Sequence, residues 1–194
     1  LDVNLYDDLS HKIKSLIGTG IVIVNRIENE TTMYVESIVG ISPKKMTLVN
    51  KLLGNQQIGK PIDNIPSTAR NTLTNGSLAK VPDGVNGLFF NRIPKGVSKS
   101  IEKMMHIRGI YSIGLRHKNE LFGNVVIVLT KDTHINKNAI EAIVNQAAVV
   151  LDKQKAWKEL QIAHKEIQAM NLHLEKKVQQ RTRRIEQLLK QKDE

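Results

Sequence analysis

The six histidines are the side chains in this sequence best suited to acid–base or ligand chemistry near neutral pH. Cysteine is absent, which excludes disulfides, thiolate metal sites, cysteine nucleophiles and thioether-linked chromophores. The sequence also has no paired acid–base residues, no metal-ligand spacing and no phosphate-binding glycine loop. We therefore expect a non-enzymatic module without metal or cofactor, for which an unknown small molecule remains a candidate ligand.

The last quarter of the chain has the spacing of a coiled coil. Two interleaved series of apolar residues form one stripe that repeats every 3.5 residues, and such a stripe is buried best against a second helix. We expect residues 152–194 to pair with a second copy in a parallel homodimer. The seam residues, counted in sevens from Trp157 and from Leu160, are Trp157, Leu160, His164, Ile167, Asn171, Leu174, Val178, Ile185 and Leu188.

Two polar residues interrupt this seam. Asn171 stands at an a position of the heptad, where it costs stability but fixes the register of a parallel pair. Arg181 stands at a d position and weakens the seam locally. A seam this imperfect suits a two-state element whose packings differ by a few kcal/mol. A passive spacer fits the same residues.

Residues 1–151 have the pattern of one α+β domain. The β-branched run Ile21–Val24 and the segment 32–41 predict a first hairpin. A second hairpin is predicted for 110–115 and 124–130. Helices are predicted over about 3–17, 43–53, 67–75 and 97–106, and from Asn136 onward.

This order of elements resembles a GAF domain. The most family-like residues are Ile110–Leu115 and Leu121–Val128, and Asn145–Leu151 is similar to the closing helix of that family. The resemblance covers about Leu16 to Leu151. It implies a GAF/PAS-like antiparallel sheet of five or six strands flanked by helices, followed here by the long C-terminal coiled-coil helix. It also implies a ligand pocket between the sheet and the segments that cover it.

The resemblance places the pocket between the second strand, the loop-rich middle of the chain and the helix after it. Large side chains there could contact a ligand or simply close the core of a small domain. We interpret His106 and His117 as exposed turn residues rather than haem ligands. The N-K-x-F-x-x-x-D-E pattern of cyclic-nucleotide-binding relatives is absent. The pocket candidates are Tyr34, Phe89, Phe90, Met104, Met105 and Tyr111.

The segment Leu174–Thr182 reads L-E-K-K-V-Q-Q-R-T. It resembles the L-E-x-x-V-x-x-R-T linker helix that joins sensory domains to sensor histidine kinases, and sometimes to diguanylate cyclases. The resemblance implies a two-component system in the cytoplasm, with a kinase domain downstream in the same polypeptide. The sequence starts at Leu1 and ends within the heptad pattern, so we interpret it as a fragment that lacks the kinase core.

Two short segments, around His11 and around His164, are similar to the phosphoacceptor motif of such kinases. Both lack the proline that follows in the family, and His164 also falls on the seam. A seam histidine is half buried between helices, whereas phosphorylation requires an exposed imidazole. We therefore expect neither histidine to be a phosphoacceptor.

The leading hypothesis is a regulatory sensory module that dimerises and relays a ligand- or partner-induced change through the coiled coil. A GAF-like unit that only dimerises fits equally well. The net charge of +10 leaves a second alternative, a nucleic-acid-associated transcriptional regulator with a basic helix. With only 4% aromatic residues and no block of like charges, we expect no nucleic-acid partner. No apolar run approaches the ~20 residues of a membrane span.

Overall fold

The computed structural model describes residues 3–54 and 58–192, and of residues 3, 4, 186 and 188–192 it describes the backbone alone. The chain divides into two compact units, Leu1–Asp152 and Lys153–Glu194. No helix in the described ranges is long and apolar enough to cross a membrane. The elements are α1 (Val3–Ile17), β1 (Ile21–Ile27), β2 (Met33–Val39), α2 (Pro43–Leu53), β3 (Pro61–Ile62), α3 (Ser67–Leu73), β4 (Ala79–Lys80), α4 (Gly84–Leu88), α5 (Lys95–Met105), β5 (Gly109–His117), β6 (Glu120–Leu129) and α6 (Lys137–Lys192).

The strands form one six-stranded sheet in the order β3-β2-β1-β6-β5-β4. Each neighbouring pair of these strands is antiparallel. Helices flank the sheet, and the long helix α6 follows it in the chain. The predicted fold class, an antiparallel sheet of five or six strands flanked by helices and followed by a long C-terminal helix, is confirmed.

Local sequence signals fix the ends of the helices. Ser42 caps α2 by accepting a hydrogen bond from the Lys45 amide (3.4 Å), and Gly54 ends it with a left-handed φ of 75°. Asn136 caps α6 in the same way, because its Oδ1 accepts from the Ala139 amide (3.1 Å). These two boundaries agree with the sequence prediction.

One face of the sheet, here called the closed face, is covered by α1 and by the first part of α6. Alternate residues of the central strands point to this face, because successive side chains in a strand alternate. The side chains buried together there include Leu9, Ile13, Val22, Val24, Ile113, Leu115, Val125, Ile127, Ile140 and Val144.

The region 78–94 carries two short elements that the sequence pattern did not predict. Strand β4 has two residues and helix α4 has five. Elements this short have too few residues to show a hydrophobic period. Tertiary contacts position them: Ala79 pairs with Ser112 of β5, and Glu102 of α5 accepts a hydrogen bond from the Val85 amide (2.8 Å).

Candidate functional site

The second face of the sheet, here called the cavity face, is built from the other alternate residues of the same strands. In β1 these are Ile21, Ile23 and Asn25, and in β6 they are Asn124, Val126 and Val128. The two sets lie side by side because β1 and β6 pair in register, with Ile23 opposite Val126 and Asn25 opposite Asn124.

Short helices cover the cavity face incompletely. Helices α4 and α5 contribute the buried side chains Val85, Ile101 and Met105, whereas α2 has no buried residue. The gap between these helices and the sheet is a cavity of ≈ 190 Å³. Its lining consists of Ile21, Ile23, Asn25, Met33, Val35, Ile38, Ile41, Met46, Val49, Leu53, Ile62, Val85, Leu88, Phe89, Phe90, Arg92, Ile101, Met105, Ile107, Ile110, Asn124, Val126 and Val128.

A bulge in β2 adjusts which side chains reach the cavity. The β1–β2 pairing runs from Val24 opposite Ser37 to Asn25 opposite Val35, which leaves Glu36 as the extra residue. Glu36 forms an ion pair with Arg26 (2.6 Å), while Asn25 and Val35 both line the cavity.

A polar chain crosses the apolar floor of the cavity. Asn25 donates a hydrogen bond from Nδ2 to Oδ1 of Asn124 (2.9 Å). Asn124 in turn donates from Nδ2 to Oγ of Ser112 on β5 (3.1 Å). The three side chains therefore link the three central strands β1, β6 and β5 below the cavity.

The rim of the cavity contains a strained turn. Phe90 and Asn91 have left-handed φ values of 54° and 60°. A bulky residue in this region is a genuine outlier and costs on the order of 1 kcal/mol or more. Arg92 lies over the Phe90 ring (5.6 Å to the centroid) and donates hydrogen bonds to the carbonyl oxygens of Asp63 and Asn64. These contacts hold the turn against the 63–64 segment.

Three of the six pocket candidates, Phe89, Phe90 and Met105, line the cavity. Met104 packs against the same apolar cluster without being part of the lining. Tyr34 and Tyr111 lie elsewhere because strand alternation turns them to the opposite face. The Tyr34 ring lies under the Arg26 guanidinium (5.0 Å to the centroid), and Tyr111 packs against the closed-face core. Contact of any of the six with a ligand stays a prediction.

Sequence reasoning missed the aliphatic lining and the polar chain. The predicted lining consisted of large Tyr, Phe and Met side chains. Most of the observed lining comes from Ile, Val and Leu residues of the sheet and helices. One signal was present. Asn25 continues the run Ile21–Val24, and Asn124 precedes the run Val125–Leu129. An asparagine beside such a buried strand segment needs hydrogen-bond partners, which predicts a polar pair.

Tyr6 of α1 is buried on the closed face, with 2% of its surface exposed. Burial raises the pKa of the Tyr6 phenol to about 12, and the nearby Arg26 guanidinium offsets part of this rise. Its hydroxyl oxygen has no hydrogen-bond partner. The Tyr6 ring therefore packs as part of the closed-face core.

The histidines form no metal site in the described part of the chain. Within the described ranges, no group of three or more His, Asp or Glu residues is placed to hold a metal ion. The lining of the cavity includes no histidine. His106 instead ends α5 in a left-handed conformation with its side chain exposed.

The predicted seam is an exposed stripe on the unit Lys153–Glu194. The large apolar members whose side chains are described are more than half exposed, from 51% for Leu174 to 62% for Val178. His164 and Asn171 are exposed as well, whereas the side chain of Leu188 lies outside the described part. Exposed apolar stripes of this length usually mark an interaction surface. Pairing with a second copy stays a prediction.

Comparison with known proteins identifies the fold of the chain. No protein-family model matches the sequence, and no curated protein matches it. Among solved structures, the GAF domain/HD domain protein from Geobacter sulfurreducens matches with a TM-score of 0.55 and 14% identity, covering 79% of this chain and 94% of that one. The blue-light absorbing form of the Thermosynechococcus elongatus PixJ GAF domain matches with a TM-score of 0.57 and 10% identity, covering 83% and 90%. The chain therefore has the GAF fold.

Proposed function

We propose that the chain is a sensory input module rather than an enzyme. The GAF-fold unit binds a small molecule in the cavity, and α6 pairs with a second copy to relay the change. The observation that carries this proposal is the single helix α6. It contributes Ile140 and Val144 to the buried core of the domain and the exposed apolar stripe to the unit Lys153–Glu194.

The cavity supports a small ligand. Its volume of ≈ 190 Å³ lies below the roughly 300–1,000 Å³ of ordinary ligand pockets. One compared structure is described as the chromophore-binding domain of a bacteriophytochrome from R. palustris (TM-score 0.51, 12% identity, covering 78% of this chain and 57% of that one). A thioether-linked chromophore does not fit here, because the chain has no cysteine.

The stripe supports a homodimer with two packings. In the seam predicted from the sequence, the polar residues His164 and Asn171 occupy a positions of the heptad. The residues one place earlier are Ala163 and Met170, and both are exposed. A seam through Leu160, Ala163, Ile167, Met170 and Leu174 keeps the alternating spacing of three and four residues and has no polar member.

The alternative seam ends at Leu174. Its next positions are Lys177, Arg181 and Arg184, whereas the original seam continues through Val178 and Ile185. The two seams share Leu160, Ile167 and Leu174, and their centres differ by a rotation of roughly 50° about the helix axis at about 100° per residue. A ligand that favours one of the two rotations would shift their populations and so transmit a signal.

The proposed output is a histidine kinase downstream in a two-component system. Support comes from the segment Leu174–Thr182, which follows the linker pattern described above. We propose a cytoplasmic location for the module on the same ground. Autophosphorylation of a longer polypeptide that contains this chain would support the assignment, and cyclic-dinucleotide synthesis in its place would contradict it.

The dimer is tested by disulfide formation, which the chain allows because it has no native cysteine. Asn171→Cys places a thiol in the proposed seam, and Ala169→Cys places one at the f position on the outer side of the helix. We expect Asn171→Cys to oxidise to a covalent dimer at least about tenfold faster, because only a seam position brings the two Cα atoms within about 7 Å.

Sedimentation provides an independent control. Leu174 belongs to both seams, so Leu174→Lys should dissociate the dimer, whereas Ala169→Lys should leave it intact. Equal sedimentation of wild type and Leu174→Lys as monomers at high concentration would overturn the proposal. Equal oxidation rates of the two cysteine variants would do the same for the parallel arrangement.

A further inference from the structure

Asn25 is a buried polar residue on the floor of the cavity. Its exposed fraction is 5%, and that of its neighbour Asn124 is 6%. Both line the cavity, where the sheet residues beside them in the lining, such as Ile23, Val35 and Val126, are aliphatic. Two carboxamides in this setting need hydrogen bonds for each buried polar atom.

The hydrogen bonds of this pair leave one carboxamide oxygen without a partner. Asn124 uses its Oδ1 to accept from Asn25 (2.9 Å) and its Nδ2 to donate to Ser112 (3.1 Å). Asn25 uses its Nδ2 in the same bond, but its Oδ1 is buried and has no partner. A buried acceptor without a partner destabilises the folded state, so its presence calls for a reason.

Folding alone gives no such reason. The next cavity-face positions along the two strands, Ile23 and Val126, pack without polar groups. An aliphatic pair at 25 and 124 would avoid the unsatisfied oxygen. Asn25 lines the cavity, so a donor that enters can bond its Oδ1 while its Nδ2 keeps the bond to Asn124.

We propose that the cavity takes an uncharged, mainly apolar molecule about the size of one or two fused rings, with one N–H or O–H group that donates a hydrogen bond to Oδ1 of Asn25. This inference rests on the proposed function and names the ligand class of its cavity. The size follows from the volume of ≈ 190 Å³, because an engineered apolar cavity of about 150 Å³ holds benzene.

The charges around the cavity favour a neutral ligand. Among the described residues the lining contains no carboxylate, and its one cation is Arg92. The guanidinium of Arg92 is engaged by the carbonyl oxygens of Asp63 and Asn64. A charged ligand would therefore lose its hydration without gaining a free counter-ion.

The test uses pairs of probes with matched shape, of which one member carries a hydrogen-bond donor and the other does not. Indole and benzofuran have the same shape, but benzofuran has an ether oxygen in place of the N–H group. para-Cresol and para-xylene form a second such pair. Each probe is titrated into the full chain, followed by the backbone and side-chain amide signals in ¹H–¹⁵N NMR spectra.

We expect indole and para-cresol to bind at least about fivefold tighter than benzofuran and para-xylene, because only they satisfy the orphan acceptor. The side-chain signals of Asn25 and Asn124 should shift with indole. Equal affinities within each pair, or no shift of any cavity signal with any probe, would overturn the inference.

Two variants locate the effect. Asn25→Leu combined with Asn124→Leu removes both carboxamide acceptors from the lining, since Asn25→Leu alone would leave Oδ1 of Asn124 without its partner. In this double variant the preference for indole over benzofuran should fall to below about twofold while benzofuran still binds. Ser112→Ala perturbs the far end of the same polar chain and should keep the preference. A preference that survives the double variant Asn25→Leu/Asn124→Leu contradicts the assignment to a carboxamide oxygen of the floor.

Failure of this inference can be told apart from failure of the relay. Disulfide formation of the Asn171→Cys variant is measured without a probe, with indole and with benzofuran, and the binding of each probe is measured on the same variant. Donor-dependent binding without a change in oxidation rate leaves the ligand class in place and removes the relay. A change in oxidation rate with indole and benzofuran alike leaves the relay in place and removes the role of Asn25.

Discussion

On the closed face, Ile13 of α1 and Ile140 and Val144 of α6 are fully excluded from solvent, whereas on the cavity face helix α2 buries none of its residues. The same strands supply both faces. The difference therefore lies in the covering elements. Long amphipathic helices bury a complete stripe, while helices of five to eleven residues leave a gap. The proposed sensory role would use both faces, because one keeps the fold while the other adapts to a ligand.

The largest expected effect compares two isoleucines of β5. Ile113 on the closed face and Ile110 on the cavity face are each 1% exposed. Ile113→Ala should lower the free energy of unfolding by about 4 kcal/mol. Ile110→Ala should cost about 1–2 kcal/mol less, because its neighbourhood already has unfilled space and fewer contacts to lose. Urea unfolding of both variants measures this, and equal losses would break the distinction between the faces.

The next comparison adds volume at adjacent positions of β6. Val125 is fully buried on the closed face, and Val126 lines the cavity. Val125→Phe should destabilise the protein by about 3 kcal/mol through overpacking. Val126→Phe should change the stability by less than about 1 kcal/mol, since the added ring occupies the cavity. Thermal unfolding of the two variants distinguishes these outcomes, and an equally destabilised Val126→Phe protein would show that the cavity cannot accept a ring.

The smallest effect concerns Tyr6, which the closed face holds without a hydrogen-bond partner. Because its pKa is raised to about 12, the unfolded state loses the phenol proton first as pH rises. The contribution of the neutral phenol to the free energy of unfolding is fully present below pH 10. It should decline by roughly 1.4 kcal/mol per pH unit up to about pH 12.

Tyr6→Phe removes that titration. The variant should match or exceed wild type by up to about 1 kcal/mol at pH 7, because no hydrogen bond is lost. Between pH 10 and 12 its stability should decline less steeply than that of wild type. Parallel slopes for the two proteins in urea unfolding over this range would show that the phenol is not protected on the closed face.

The sequence predicted the fold class because its signals are local and strong. Ser42, Pro43 and Gly54 mark both ends of α2, and the apolar period of α1 is clear. The site was harder to predict. Tyr34 and Tyr111 have suitable size, but the face on which a strand residue lies depends on register, and the bulge at Glu36 shifts that register within β2. The cavity itself is a property of how short helices fail to cover a sheet, which no residue pattern records.

The relay through α6 is tested most directly by comparing disulfide formation at two adjacent positions. Met170→Cys reports the apolar seam, and Asn171→Cys reports the seam with the asparagine. Each is measured in the otherwise cysteine-free chain, with and without Val126→Phe, which fills the cavity permanently. We predict efficient cross-linking at these positions and at least about a twofold change in the ratio of the two rates when the cavity is filled. An unchanged ratio, or cross-linking no faster than for Ala169→Cys, would contradict it.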